Sequence, residues 1–84
     1  MVVVRFQNSA LRELHRLPSE LLARMKPIFR ALEENPRPRG VKKLKGAKNR
    51  HRIRVGDYRI VYEIDDEASE VIILRIRHRR DSYR

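Results

Sequence analysis

Arg50-His51-Arg52-Ile53-Arg54-Val55-Gly56-Asp57-Tyr58-Arg59-Ile60-Val61-Tyr62 alternates basic and apolar residues, breaks at Gly-Asp, and resumes as an apolar-rich run. A period of two marks a β-strand with one buried face. Glycine tolerates the positive φ that a two-residue hairpin turn needs, so Gly56-Asp57 predicts a tight β-hairpin. With those two residues as the loop, Val55 faces Tyr58, Arg54 faces Arg59, Ile53 faces Ile60 and Arg52 faces Val61. Arg52, Arg54 and Arg59 then share one face of the ribbon. Like charges directly opposite each other in a sheet are destabilising. A clustered guanidinium face is what a phosphate-bearing partner selects for.

Outward from the hairpin, whose strands span about 50–56 and 58–65, a polar acidic turn at 65–70 leads to an apolar final strand over 71–77 and a basic tail at 78–84. Upstream, 41–45 reads as a short strand followed by a basic loop. Residues 2–6 are rich in β-branched side chains and predict a first strand. Asn8 and Ser9 are candidate N-caps for a helix over about 9–17, where Leu11, Leu14 and Leu17 recur at helical spacing. Pro18-Ser19-Glu20 restarts a second helix that ends near Glu34, before Asn35-Pro36. Pro27 inside it removes a hydrogen bond and predicts a kink or a break. Only a few residues join the helices, so they predict an antiparallel helical hairpin.

The resulting fold class is α+β: a small antiparallel sheet with the N-terminal helical hairpin packed on one face. Strict alternation assigns Ile53, Val55, Tyr58, Ile60, Tyr62, Ile72, Leu74 and Ile76 to the buried face. The other face carries Arg52, Arg54, Arg59, Arg75 and Arg77, with Val61, Val71 and Ile73 between them.

A chain of 84 residues allows one domain, spanning 1–84, with a thin core. The formal net charge is +10, and sixteen of the basic residues are Arg against five Lys, a bias that suits the planar recognition of phosphate. Fifteen of those charges fall after residue 36, so the C-terminal part supplies the electrostatic footprint. Without Cys there is no disulfide framework and no thiolate metal site. No apolar run approaches the ~20 residues of a membrane span, and the N-terminus is wrongly flanked for a signal peptide, so a cytoplasmic protein with no membrane partner is expected.

Asp65, Asp66, Glu67 and Glu70 lie in one turn and read as a solubilising loop, not as a carboxylate pair. Three Gly cannot build a glycine-rich phosphate loop, and His15, His51 and His78 lack ligand spacing, so neither a metal nor another cofactor is expected. What remains is the arginine cluster, with His51, His78, Tyr58 and Tyr83 nearby in sequence. Such a set can bind a phosphodiester and stabilise charge developing on it. Arg has a pKa above ~12, so any proton transfer falls to Tyr or His, with His51 and His78 as candidate acids or bases. His51 alternates with Ile53 and also reads as a core-edge residue. RNA fits this chemistry, because its 2′-hydroxyl is an internal nucleophile beside the phosphate. Lys42, Lys43, Lys45 and Lys48, with Arg50, Arg75, Arg77 and Arg80, are candidate RNA-binding residues.

Three segments together resemble the RelE/ParE toxin superfamily of type II toxin–antitoxin pairs, on its RelE-like branch: Lys43-Leu44-Lys45-Gly46, the hairpin Arg52 to Tyr62, and His78-Arg79-Arg80-Asp81-Ser82-Tyr83-Arg84. The order of elements fits over essentially the whole chain. The resemblance implies a metal-independent endoribonuclease that cleaves messenger RNA on the ribosome. It also implies a cognate acidic antitoxin that wraps the toxin in a hetero-oligomer. Arg52 and Arg54 would supply the third-strand basic groups, Arg59 the phosphate clamp, Arg79 transition-state stabilisation, and Tyr83 orientation of the RNA or proton transfer. The superfamily also holds inhibitors of DNA gyrase, which makes a gyrase poison the alternative, with a non-catalytic basic nucleic-acid-binding module as a third reading.

Overall fold

The structure, a computed structural model, describes residues 1–44, 46 and 49–80. Its elements run β1 (Val3–Phe6), α1 (Asn8–His15), α2 (Ser19–Glu34), β2 (Lys42–Lys43), β3 (Arg50–Val55), β4 (Tyr58–Asp65) and β5 (Glu70–His78). The five strands form one sheet in the order β1-β5-β4-β3-β2. The hairpin has the register that the Gly-Asp loop demands, with Val55 opposite Tyr58, Arg54 opposite Arg59, Ile53 opposite Ile60 and Arg52 opposite Val61. Gly56 adopts φ 60, in the left-handed region where a side chain is strained.

The α+β class holds, and the sheet is mixed. β2 to β5 are antiparallel neighbours, while β1 lies parallel to β5, Val3 opposite Glu70 through Phe6 opposite Ile73. A parallel neighbour needs a long crossover, and the two helices with β2 to β4 supply it. β1 covers only the first part of β5. Beyond it, the edge of β5 is closed by α1: the Gln7 N–H donates to the Ile73 carbonyl at 2.9 Å, the Ser9 hydroxyl to the Leu74 carbonyl at 3.2 Å, and the Ile76 N–H to Glu13 Oε1 at 2.9 Å. Ser9 therefore serves the sheet edge and not the helix N-terminus, where Gln7 is the capping residue and makes no side-chain cap. α2 is one continuous helix that includes Pro27, so the expected break does not occur. Pro27 is exposed, so the carbonyl it leaves unpartnered, that of Ala23, also on the exposed side of the helix, can turn to water.

The buried face departs from strict alternation in β5. Tyr62 pairs with Ile73 while Val61 pairs with Arg75, a register shift that leaves Leu74 as the extra residue. One extra residue inverts the parity of everything before it. Val71, Ile73 and Ile76 are therefore buried, at 0%, 0% and 2% exposure, and Ile72 and Leu74 are not. Val71 and Ile73, assigned by alternation to the arginine face, belong to the core, and Ile72 faces the other way. The core is completed by Ile60, Tyr62 and Ile64 of β4, Val55 of β3, Met25 and Leu32 of α2, and Ala10 of α1. Phe6 meets Phe29 edge-on at 5.1 Å and ties β1 to α2.

Tyr62 is fully buried, and its hydroxyl donates to the Pro36 carbonyl at 2.8 Å, anchoring the chain as it leaves α2. Burial pushes its pKa up to about 12 from the ordinary 10.0, against a smaller lowering by the Arg37 guanidinium. The unfolded chain loses this proton near pH 10 and the folded one only near pH 12, so between those values the folded state holds more protons. Tyr62 thus stabilises the fold below pH 10, and the contribution falls away as pH rises toward about 12. Tyr62→Phe is expected to weaken the fold by about 1 kcal/mol at neutral pH through the lost hydrogen bond. It should also flatten the alkaline limb of a stability–pH curve relative to the parent. A limb of unchanged slope would contradict this.

Candidate functional site

Residues paired directly across neighbouring strands share a face and lie roughly 5 Å apart. The register therefore lines the basic residues up in two adjacent rows. Arg54, Arg59 and Arg77 form one row across β3, β4 and β5. Lys42, Arg52, Val61 and Arg75 form the next, from β2 to β5. Leu44, Arg52, Arg59, Val61, Arg75 and Arg77 line a shallow depression of about 320 Å³ on this face. Arg59 is its most buried arginine, at 9% exposure.

The hairpin turn forms a second, smaller cleft of about 40 Å³, lined by Arg54, Gly56, Asp57, Tyr58, Arg59 and Arg79. The Arg79 backbone N–H donates to the Asp57 carbonyl at 2.6 Å, which fastens the end of β5 to the turn. Arg79 thereby borders one cleft with Arg54 and Arg59, which lie 25 and 20 residues earlier in the chain. Arg59 lines both depressions and is the junction between them.

The remaining basic candidates separate by position. Lys42 and Lys43, alike in sequence, part company in the sheet. Lys42 is opposite Arg52 on the arginine face, and Lys43 is opposite the buried His51, toward the helices. Arg50 Nε is 3.9 Å from Glu63 Oε1, its cross-strand partner, at the end of the face where the sequence turns acidic. Arg80 is exposed. Lys45, Lys48 and Tyr83 lie outside the described residues.

Both candidate histidines, His51 and His78, are on the helix side of the sheet, away from the arginine rows. His51 is 6% exposed, stacks on Tyr62 with centroids 5.6 Å apart, and donates from Nδ1 to the Asn49 carbonyl at 3.2 Å. This is the core-edge role and removes His51 from reach of a phosphate on the opposite face. His78 packs edge-on against Tyr58 at 5.2 Å, and its Nδ1 accepts the Arg80 N–H at 3.2 Å. In neutral His78 the proton then resides on Nε2, which can donate but not accept. Among the described residues no group of three His, Cys, Asp or Glu could hold a metal ion. The described part of the site is a cationic surface whose lining carboxylate, Asp57, sits at the hairpin turn beside Arg54, Arg59 and Arg79.

Arg77 is held by Glu13 of α1, with Nε 3.5 Å from Oε2, while Oε1 takes the Ile76 N–H. One carboxylate thus closes the sheet edge and orients an arginine of the central row. Glu13→Ala leaves a part-buried N–H without its acceptor and is expected to destabilise the fold by about 1–3 kcal/mol. Glu13→Gln keeps an acceptor and should recover most of that loss in a urea unfolding curve. Equal loss in both variants would contradict the edge-closing role.

A small α+β domain that displays two rows of mostly basic residues, seven positions in all, over one end of a mixed sheet has the architecture of the RelE-like toxins. Comparisons with known proteins agree. The family model described as the ParE toxin of the type II toxin–antitoxin system, parDE, matches residues 4–83. The chain is 40% identical to toxin RelG of Mycobacterium tuberculosis over 82 residues, covering 96% of this chain and 94% of that protein. Among solved structures, the isolated E. coli RelE toxin superposes with a TM-score of 0.85 at 26% identity, over 93% of this chain and 84% of that one. The toxin–antitoxin complex RelBE2 of Mycobacterium tuberculosis gives 0.77 at 38% identity, over 92% and 96%. The chain belongs to the RelE/ParE toxin family of type II toxin–antitoxin systems and is a toxin of the RelE type.

Proposed function

We propose that this toxin is a metal-independent endoribonuclease that cleaves messenger RNA on the ribosome. One observation carries the reading: Arg54, Arg59 and Arg79 border a single cleft, and Arg59 also opens onto the depression formed with Arg52, Arg75 and Arg77. In the reaction, the 2′-oxygen attacks the adjacent phosphorus as the bond to the 5′-oxygen breaks, leaving a 2′,3′-cyclic phosphate and a 5′-hydroxyl. Arg52, Arg54, Arg59 and Arg79 neutralise the charge that accumulates on the phosphoryl oxygens. The 2′-hydroxyl gives up one proton and the 5′-oxygen takes one. Arginine does neither near neutral pH, so Tyr83 is the residue we assign to orienting the RNA or moving the proton. The ribosome positions the RNA in line, which suits a site so poor in acid–base groups.

An acidic antitoxin is the partner that fits the charge of +10. The related RelE toxins of E. coli, Pyrococcus horikoshii and Methanococcus jannaschii were solved in complex with RelB antitoxins. Here a groove of about 500 Å³ has Ile28, Ala31 and Ile53 in its lining together with Arg39, Arg52 and Arg54. That combination suits an acidic segment carrying apolar anchors. The alternative, inhibition of DNA gyrase, is favoured only by the name of the matching family model. Primer extension on messenger RNA after brief expression separates the two. Discrete cuts within codons support the nuclease, whereas DNA damage without cuts supports the gyrase inhibitor and sinks the nuclease.

A further inference from the structure

The arginine face does not stop at β5. Arg75 lines the depression on the sheet and also a second one of about 320 Å³, whose other lining residues are Ser9, Arg12, Glu13 and Arg16. Arg12 and Arg16 are four residues apart on α1, so they project from the same side of the helix, and both are exposed. Like charges at that spacing weaken a helix. The helix dipole favours a cation at Arg16, beside the C-terminus, but gives Arg12 less compensation one turn earlier. Glu13 also lines this depression, but its carboxylate is directed to the Ile76 N–H and to Arg77, and one negative charge against Arg12, Arg16 and Arg75 leaves the cluster cationic. Among the described residues no carboxylate lies within 4.0 Å of the guanidinium of Arg12, Arg16 or Arg75.

We propose that Arg12, Arg16 and Arg75 form a second phosphate-binding site, which holds the RNA backbone beside the nucleotides engaged by Arg54 and Arg59. The inference rests on reading the arginine face as an RNA surface. Three guanidinium groups with no carboxylate partner among the described residues, gathered in a concave site, suit phosphodiester oxygens, which accept from a planar fork. Continuity through Arg75 favours the strand already lying on the sheet over a separate acidic protein. The site grips and does not react: it acts on binding and leaves the chemical step alone.

The test uses the full chain and a single-stranded RNA carrying a 2′-O-methyl group on every ribose, which has no nucleophile to cleave. Each phosphate contact on a single strand contributes about 0.7 to the slope of log affinity against log salt. Arg12→Gln/Arg16→Gln is expected to lower that slope by about 1.4 and the affinity by roughly 10- to 30-fold at about 0.1 M salt. Lys26→Gln/Arg30→Gln, on the exposed side of α2, removes the same charge and should change neither by more than about 2-fold. On programmed ribosomes the Arg12/Arg16 variant should raise KM about 10-fold with kcat unchanged. Unaltered RNA affinity and slope would overturn the site. Equal losses in the α2 control would overturn it too, since net charge alone would then explain the effect. Loss of polyglutamate binding with RNA binding intact would make the surface a protein-docking face and likewise refute the proposal. If the inert RNA binds as expected but the parent protein cuts no message, the site stands and the nuclease reading falls.

Discussion

Arg59→Gln is expected to reduce cleavage of messenger RNA on programmed ribosomes by about 10²–10³-fold in kcat while the protein stays folded. Arg59 is the middle member of the row Arg54–Arg59–Arg77 and lines both depressions of the face. Like charges directly opposite each other on neighbouring strands are destabilising, and Arg59 has an arginine opposite it on each side. A phosphate reverses that balance, because every guanidinium in the row gains from the same anion. The gain is largest when the phosphoryl oxygens carry the added charge of the transition state, so the loss should fall on kcat more than on KM. Arg59→Lys keeps the charge and loses the fork, and should lie between the parent and Arg59→Gln. Arg77→Gln should cost less than Arg59→Gln, because Arg77 lines only one of the two depressions that Arg59 joins. Full activity in a folded Arg59→Gln protein would remove Arg59 from the site.

The same row explains a division of labour along the sheet. Near the hairpin turn the outer face carries Arg54, Arg59 and Arg77; toward the other end it carries Glu63, Asp65 and Glu70. Arg50 and Glu63 sit where the two meet and pair at 3.9 Å. Beyond them Arg37 bridges to Asp66 at 3.0 Å and holds the Asp66 carboxyl below the usual carboxylate range. Exposed pairs of this kind contribute little stability. Their consequence is a face polarised from cationic to anionic, which orients an approaching polyanion toward the turn and away from the β4–β5 loop.

The hairpin was legible because its loop is two residues long. A Gly-Asp turn permits one register, and one register puts Arg52, Arg54 and Arg59 on one face. The opposite side of the same alternation puts His51 in the core edge, where it stacks on Tyr62. Other features depend on contacts that no local pattern carries. The parallel pairing of β1 with β5 joins segments some 67 residues apart. Lys42 and Lys43 are separated only by the register of a two-residue strand. Arg12 and Arg16 read as the polar side of a helix until α1 is seen to flank Arg75. Pro27 reads as a breaker until the helix turns it to solvent. The register shift at Leu74 is the most consequential of these, because apolar residues occupy 71–74 without interruption and alternation there has no polar residue to set its phase.

Ile73→Ala is therefore expected to destabilise the domain by about 2–5 kcal/mol, and Ile72→Ala by under about 1 kcal/mol. Ile73 is 0% exposed within a core shared with Tyr62 and Val71, and truncating it leaves a cavity that the surrounding sheet cannot collapse to fill. Ile72 lies opposite Glu63 on the other face and borders an open, acidic hollow. A domain of this size holds only about 5–15 kcal/mol in total, so the Ile73 variant should approach global unfolding while its neighbour remains native. Introducing both changes into an Arg59→Gln background removes the toxicity expected of the parent and allows direct expression. Urea midpoints with unchanged m-values give the comparison. A strand without the shift reverses the order, with Ile72→Ala the costly change and Ile73→Ala the mild one. The two alanine variants thus decide which residues the sheet buries. They also decide whether Arg75 and Arg77 keep their place in the rows, because the extra residue at Leu74 is what lets β5 bury Val71 and Ile73 and still turn both arginines outward.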